Sequence, residues 1–378
     1  NGQCWKLGDI FHSKGALVGL PQNYSPDIAY AKYLTQPVSC IKGQYPCTVA
    51  GIAQKSSDTV KARDLMYYVG SNDGFLHAFH AAKWILGDNP ITKKKLEAGY
   101  YSAKDCPTCG NELWSFIPKS VAMNYGDTLR EQHLFLMDGS PVIRDVLFSS
   151  QACPQGTEDH CFRTVLVMGQ GEGGKTIFAL DITNPLHPIF LWDAETNGLA
   201  TSTPFIGEIE VVNGGQKEHR MAAFFGSGAK AYEQFGQKRG IHIIDLEDGA
   251  DPRMRWFVPM DNYLIAEKDL NLPYGGEFLS GPTGFDKNGD NLIDTVYLGN
   301  TDGRMYRVQF SNSFFYGFAG DPAKEACEVF DPNRSRHKNA QRQPIYTSPT
   351  LSSDHEGNIL VYFGSGDPDP NKIYKPNV

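Results

Sequence analysis

The chain has 378 residues, with 35 basic against 43 acidic side chains and a formal charge of −8, so no overall field draws it to nucleic acid or another polyanion. Hydrophobic residues make up 40% and aromatic ones 12%, enough for a sizeable core, and no apolar run reaches the roughly eighteen residues of a membrane-spanning helix. With 39 glycines and 23 prolines the composition demands many turns, which favours an all-β fold.

The chain opens Asn1-Gly2-Gln3-Cys4 without an initiator methionine, a basic n-region or an apolar stretch, and reads as a mature piece or fragment of a larger protein. Along it an apolar strand ending in glycine recurs five times, at 65–70, 165–169, 221–226, 295–299 and 359–364. A small polar turn and a second strand follow the better copies, at 75–79, 177–181, 241–245 and 305–308, so each unit is a β-hairpin. Upstream lies a Ser-Pro element, at Ser140-Pro141, Ser202-Thr-Pro204, Ser280-Gly-Pro282 and Ser348-Pro349, with a weaker Ser13-Lys-Gly15 near the start. The prolines stand 63, 78 and 67 residues apart, longer than the ~40–50 of compact propeller repeats. A hairpin with one apolar face cannot stand alone, and stacking such units round an axis buries both faces while leaving short edges. The expectation is one modified β-propeller domain over residues 1–378 with long loop insertions, five repeats visible and room for six or seven blades. Residues 20–62, 83–111 and 312–344 read as surface loops, Asp127 to Gln132 as a short helix, and long helices as absent. Trp84, Trp114, Trp192 and Trp256 each follow a hairpin, as aromatic packing between blades requires.

Eight cysteines form an even set with close spacings. Cys40 with Cys47, Cys106 with Cys109 and Cys153 with Cys161 read as local disulfides, which leaves Cys4 with Cys327 to join the start of the chain to a late blade. Zinc is the competing reading of Cys106-Pro-Thr-Cys109, although a structural zinc ordinarily needs a second such pair. Disulfides imply an oxidising compartment.

The sharpest chemical signal is Asp286-Lys-Asn288-Gly-Asp290-Asn-Leu292-Ile-Asp294. Oxygen side chains stand at positions 1, 3, 5 and 9, with the Leu292 carbonyl at 7, the alternation by which a looping chain wraps Ca2+ in hard donors. The loop departs from an EF-hand: its last acid comes at position 9, position 6 is Asn291 in place of glycine, and a strand follows instead of a helix. Its place before one strand suggests that an ion would organise a single blade edge. Gly169 to Thr176 satisfies the P-loop pattern letter for letter, yet the following Ile177-Phe-Ala-Leu-Asp reads as a strand, so a glycine-rich hairpin is expected in place of a phosphate cradle. His77 and His80, three apart on a strand, face opposite ways and make no metal pair. No catalytic constellation stands out.

At residues 7–13, 68–79, 138–142 and 163–167 together with the Asp286 loop, the chain resembles the PilC/PilY family of type IV pilus proteins, in order and over nearly its whole length. That resemblance implies the C-terminal propeller of a two-part, non-enzymatic protein whose N-terminal region is adhesive. It implies calcium at Asp286, Asn288, Asp290, Leu292 and Asp294, and a role in pilus extension, retraction, twitching motility, virulence and host-cell adhesion. It also implies export through the periplasm to the bacterial surface, in association with pili or the outer membrane, with pilus components and a host-cell receptor as partners. Some members carry an Arg-Gly-Asp motif, which is absent here. The alternative is a quinoprotein propeller dehydrogenase, whose repeats and calcium are similar. Against it stand the absence of adjacent cysteines and the contiguity of the calcium loop.

Overall fold

The computed structural model describes residues 7–21, 27–36, 38, 48–49, 52–53, 59–88, 99–104, 106–128, 134–149, 153, 160–231, 235–260, 276–310, 314–315, 323–331 and 343–366. The chain divides into two compact units, Asn1–Met168 with Phe178–Trp192, and Gly169–Ile177 with Asp193–Val378.

In the first unit β1 (Ala16–Val18) is followed by helix α1 (Ile28–Thr35), the two-residue strands β2 (Thr48–Val49) and β3 (Ile52–Ala53), then β4 (Leu65–Gly70), β5 (Leu76–Ile85), β6 (Tyr100–Ser102) and β7 (Glu112–Phe116). β2 and β3 pair with each other, and the sheet β1-β4-β5-β6 also takes β7 against β5. Helix α2 (Lys119–Thr128) leads to the second sheet, β8 (Val142–Ser149), β9 (His160–Gly169), β10 (Thr176–Asp181) and β11 (Ile189–Glu195), ordered β11-β10-β9-β8. Met66, Tyr68, Leu76 and Ala78 of the first sheet pack against Leu166, Met168, Phe178 and Leu180 of the second to make this unit's main core.

The second unit repeats the plan. β12 (Phe205–Asn213), β13 (Gln216–Gly226), β14 (Gly240–Asp245) and β15 (Arg255–Pro259) form the third sheet in meander order, joined by the short parallel β19 (Phe314–Phe315) at β12. β16 (Thr283–Phe285), β17 (Thr295–Gly299), β18 (Met305–Phe310) and β20 (Ala323–Phe330) form the fourth, and β21 (Thr350–Ser353) pairs with β22 (Ile359–Tyr362). From Glu208 to Val211 β12 alternates between less buried Glu208 and Glu210 and buried Ile209 and Val211, the period of a strand with one face to a core. β17 is buried on both faces: Val296 and Leu298 face the third sheet's core, while Tyr297 packs with Met305, Ile345 and the β21–β22 pair.

These are the blades of a β-propeller, one for each repeat seen in the sequence. The recurring glycine has a steric cause. A Cβ on Gly70 would lie 2.5 Å from the carbonyl oxygen of Met137, on Gly169 2.4 Å from that of Ala200, and on Gly226 2.4 Å from that of Phe278. Each glycine therefore lets the chain entering the next repeat pass in contact with the strand end.

Several loop assignments need correction. Residues 20–62 contain α1, whose N-cap Asp27 accepts Ala29 N–H at 2.7 Å and whose Tyr30 and Tyr33 are buried three apart. Of the helix expected at Asp127 to Gln132, Asp127 and Thr128 close α2, which begins after Pro118, a residue preset for a first turn, and packs Val121 inward, while residues 129–132 lie outside the described residues. Residues 83–111 include the end of β5 and all of β6, and 312–344 includes β20, whose charged Glu328 faces Arg304 at 3.5 Å and so hid its strand character. Trp192 and Trp256 are buried as expected, and Trp114 packs on the first core, whereas Trp84 stacks edge-on against Tyr101 of its own sheet. Among the described residues no helix is long and apolar enough to cross a membrane.

Candidate functional site

Residues 286–294 connect β16 to β17, whose pairing closes at Phe285 and Thr295. Gly289 (φ +80°) and Asn291 (φ +73°) adopt left-handed backbone, and these two inversions coil the loop. Asn291 takes the role that glycine plays at the sixth position of an EF-hand. Asp286 turns both oxygens into the coil, Oδ1 accepting Gly289 N–H and Oδ2 accepting Asn291 N–H, each at 2.7 Å. Asn288 Oδ1 accepts Asp290 N–H at 3.0 Å, Asp290 Oδ1 accepts Leu292 N–H at 2.9 Å, and Asp294 Oδ2 accepts Lys287 N–H at 2.8 Å. The side chains of positions 1, 3, 5 and 9 are thus organised by the loop's own amides.

A carboxylate oxygen that accepts one N–H keeps acceptor capacity, so the set still offers hard oxygen to a cation. The donor chemistry and the coiled backbone fit Ca2+. The three carboxylates are not gathered as tightly as the one group of three metal-type ligands among the described residues, His80, Cys106 and Cys109, whose ligand atoms lie within 4.8 Å of one another.

The loop is held from outside as well. Ile293 N–H donates to Glu208 C=O at 2.9 Å, and Leu292 bridges Glu208 in parallel register. The Ile293 side chain fills space left by two glycines, since a Cβ would stand 2.5 Å from it on Gly207 and 3.1 Å on Gly284. The loop therefore ties the fourth sheet to β12 of the third, and an ion there would act on more than the single blade edge read from the sequence. Glu208 could not be found from its own neighbours, because the contact joins successive repeats; the available signal was a glycine inside each of two strands.

The phrases at residues 7–13, 71–74 and 138–141 fold into one knot in the first unit. Asp138, buried, accepts His12 N–H at 3.0 Å and lies 2.6 Å from His12 Nδ1. Gly8 N–H donates to Asp73 Oδ2 at 3.1 Å, and Asn72 N–H donates to Asp9 C=O at 2.9 Å. His77 lies between Glu112 (Nδ1 at 2.8 Å) and Asp73 (Nε2 at 3.1 Å), while His80 meets Asp64 and Thr108, so the two histidines have separate partners.

The P-loop pattern builds no phosphate cradle. Residues 171–173 make one 3-10 turn, Thr176 begins β10, and Gln170 closes the loop by accepting Thr176 N–H on Oε1 at 3.0 Å. Lys175 pairs with Glu195 at 3.1 Å. Cys106–Cys109 and Cys153–Cys161 are bonded, with Cα separations of 5.3 and 5.8 Å. Cys4, Cys40 and Cys47 lie outside the described residues, and Cys327 is bonded to no described cysteine.

The PilY1 beta-propeller domain family model matches residues 7–367. The type IV pilus biogenesis factor PilY1 of Pseudomonas aeruginosa is 28% identical over 392 aligned residues, covering 95% of this chain and 26% of that protein. A PilY1 homolog of Xylella fastidiosa is 24% identical over 381 residues, covering 95% of this chain and 23% of its own length. The chain thus spans about a quarter of the length of these curated relatives. The crystal structure of the Pseudomonas aeruginosa PilY1 C-terminal domain aligns with a TM-score of 0.53 and 23% identity over 93% of this chain and 59% of that one, a likeness of fold. The family match takes in every repeat, the knot at residues 7–13 and the oxygen-rich loop, and the chain belongs to the PilY1 beta-propeller domain family.

Proposed function

We propose that this domain binds Ca2+ in the 286–294 loop and, as the C-terminal propeller of a surface-exposed type IV pilus factor, tunes pilus extension against retraction and supports host-cell adhesion. The observation that carries this reading is the coiled, oxygen-only donor set anchored to Glu208 of the neighbouring sheet. The relatives it is similar to are named as type IV pilus biogenesis factors, which supports a role by binding.

The side chains of Asp286, Asn288, Asp290 and Asp294 and the carbonyl of Leu292 would hold the ion, which supplies the positive charge that three neighbouring carboxylates lack. Without it their repulsion strains a loop that spans two sheets. Glu208 passes that change to β12, a local electrostatic event with a wider readout. Partners are pilus components and a host-cell surface receptor.

The test pairs binding with function. Asp290→Ala and Asp294→Ala should each abolish calcium binding in calorimetry while circular dichroism stays unchanged. In the full-length protein Asp294→Ala should reduce surface pili, and deleting the retraction motor should restore them. Unchanged calcium binding in both variants would refute the site, and normal piliation with the motor present would reduce calcium to a staple.

A further inference from the structure

Outside the 286–294 loop, a second constellation of reactive side chains lies where β5 meets the turn between β6 and β7. Cys106 is buried, Pro107 is exposed and Cys109 is partly exposed, so the two sulfurs of one disulfide differ in access. His80, 2% exposed, places Nδ1 at 3.6 Å and Nε2 at 3.8 Å from Cys106 Sγ. The ring is fixed on both sides, Nδ1 at 2.9 Å from Thr108 Oγ1 and Nε2 at 3.2 Å from Asp64 Oδ2. Asp64 is itself oriented, since its Oδ1 accepts Trp84 N–H at 2.8 Å.

A structural staple would be poorly served here. A bond between residues three apart closes a very short loop and restricts the unfolded chain less than one between residues eight apart, as in Cys153–Cys161. The turn is held without it: Gly110 N–H donates to His80 C=O at 2.8 Å, His80 N–H donates to Asn111 C=O at 3.0 Å, and Cys109 N–H donates to Cys106 C=O at 3.1 Å. What the arrangement does supply is an imidazole held against one sulfur and not the other, the kind of polar neighbour that makes a Cys-x-x-Cys pair reactive.

We propose that Cys106–Cys109 is a thiol–disulfide exchange site, with Cys109 the sulfur attacked and Cys106 the leaving thiolate stabilised by His80. An incoming thiolate bonds to Cys109 Sγ, the Cys106–Cys109 bond breaks, and its electron pair stays on Cys106 Sγ beside the His80 ring, which Asp64 and Thr108 hold in place. A second thiolate then attacks the incoming sulfur, releasing the co-reactant as a disulfide and Cys109 as a thiolate that takes a proton from water. The pair gains two electrons and two thiols lose them; a disulfide co-reactant runs the same steps backwards. Asp64 is a positioning residue.

The test equilibrates the oxidised protein in glutathione buffers and follows each cysteine by alkylation and mass spectrometry, with Cys153–Cys161 as the internal control. The equilibrium constant for reducing Cys106–Cys109 should exceed that of the control by about a hundredfold. His80→Gln should slow its reduction by about tenfold, Asp64→Asn by less, with the control bond unchanged as the check on folding. Cys106→Ser should collect glutathione on Cys109, whereas Cys109→Ser should leave Cys106 unmodified. Equal reduction of the two bonds, or glutathione on Cys106 in Cys109→Ser, would overturn the proposal. So would stoichiometric zinc retained by the reduced protein and lost in His80→Gln, which would make the cluster a metal site.

Discussion

The Ser280 hydroxyl and the Gly299 backbone bond each other twice, Oγ accepting Gly299 N–H at 3.0 Å and donating to Gly299 C=O at 2.8 Å. The same contact recurs as Gly226 N–H to Ser202 Oγ at 2.8 Å and Gly70 N–H to Ser13 Oγ at 3.0 Å. Ser202 Oγ also donates to Ser280 C=O at 3.0 Å, linking one repeat to the next. The two marks by which the repeats are recognised in sequence are therefore opposite ends of one hydrogen bond. Ser280 and Gly299 are fully buried, so Ser280→Ala should cost about 1–3 kcal/mol by orphaning an amide, measured by urea unfolding. No loss in the unfolding midpoint would show that the latch is dispensable.

The repeat glycines should not be equivalent. Gly226→Ala sets a Cβ against the Phe278 carbonyl, and backbone cannot swing aside; Gly299→Ala meets the Ile345 side chain at 2.4 Å, which has more freedom to move. Among the described residues no atom lies within 4 Å of a Cβ on Gly364. The expected order of destabilisation is Gly226→Ala, then Gly299→Ala, then Gly364→Ala near zero, read from melting temperatures. A large effect at Gly364 would contradict the close-approach explanation.

Calcium should slow hydrogen exchange beyond its own donors. Ile293 N–H, bonded to Glu208 C=O, is the link between the loop and β12, so its protection should rise with calcium, together with amides early in β12. Protection confined to residues 286–292 would restrict the ion's influence to one blade.

Burial alone would lower the His77 pKa, but hydrogen bonds to Asp73 and Glu112 and their charges outweigh it and raise the net value. Burial would likewise raise Asp73, and its bonds to His77 and Gly8 N–H bring it below the ordinary carboxylate range. A histidine that holds its proton more tightly when folded stabilises fully below its unfolded value of about 6.5, and this contribution is lost as pH rises through the native value. His77→Gln should therefore cost most in acid-side buffers and progressively less above about pH 6.5. A cost that does not vary with pH would mean that the proton on His77 contributes nothing.

The hairpins, the all-β class and the oxygen loop were legible because each is encoded by neighbours: alternating apolar residues, a closing glycine, oxygen donors at alternate positions. Helix α1 was missed because Asp27 and the Tyr30 and Tyr33 pair are set among prolines and glycines, and the cap matters more than the composition around it. β20 was missed because an outer strand carries charge, and Glu328 answers an arginine that is itself buried, Arg304. Glu208 and the His80–Cys106 approach depend on residues brought together across repeats or strands, which no local spacing can encode.

The Ser–Gly latch spans 57 residues in the first repeat, 24 in the third and 19 in the fourth. Tripling a flexible loop adds only about 1 kcal/mol of closure entropy, less than the upper range for one buried hydrogen bond left unmade. Segments between the two latch residues are therefore free to lengthen and diversify at little thermodynamic cost, provided that serine and glycine stay in register. Such a frame lets a lineage exchange its outer loops under selection for new surfaces while each blade continues to fold by the same rule.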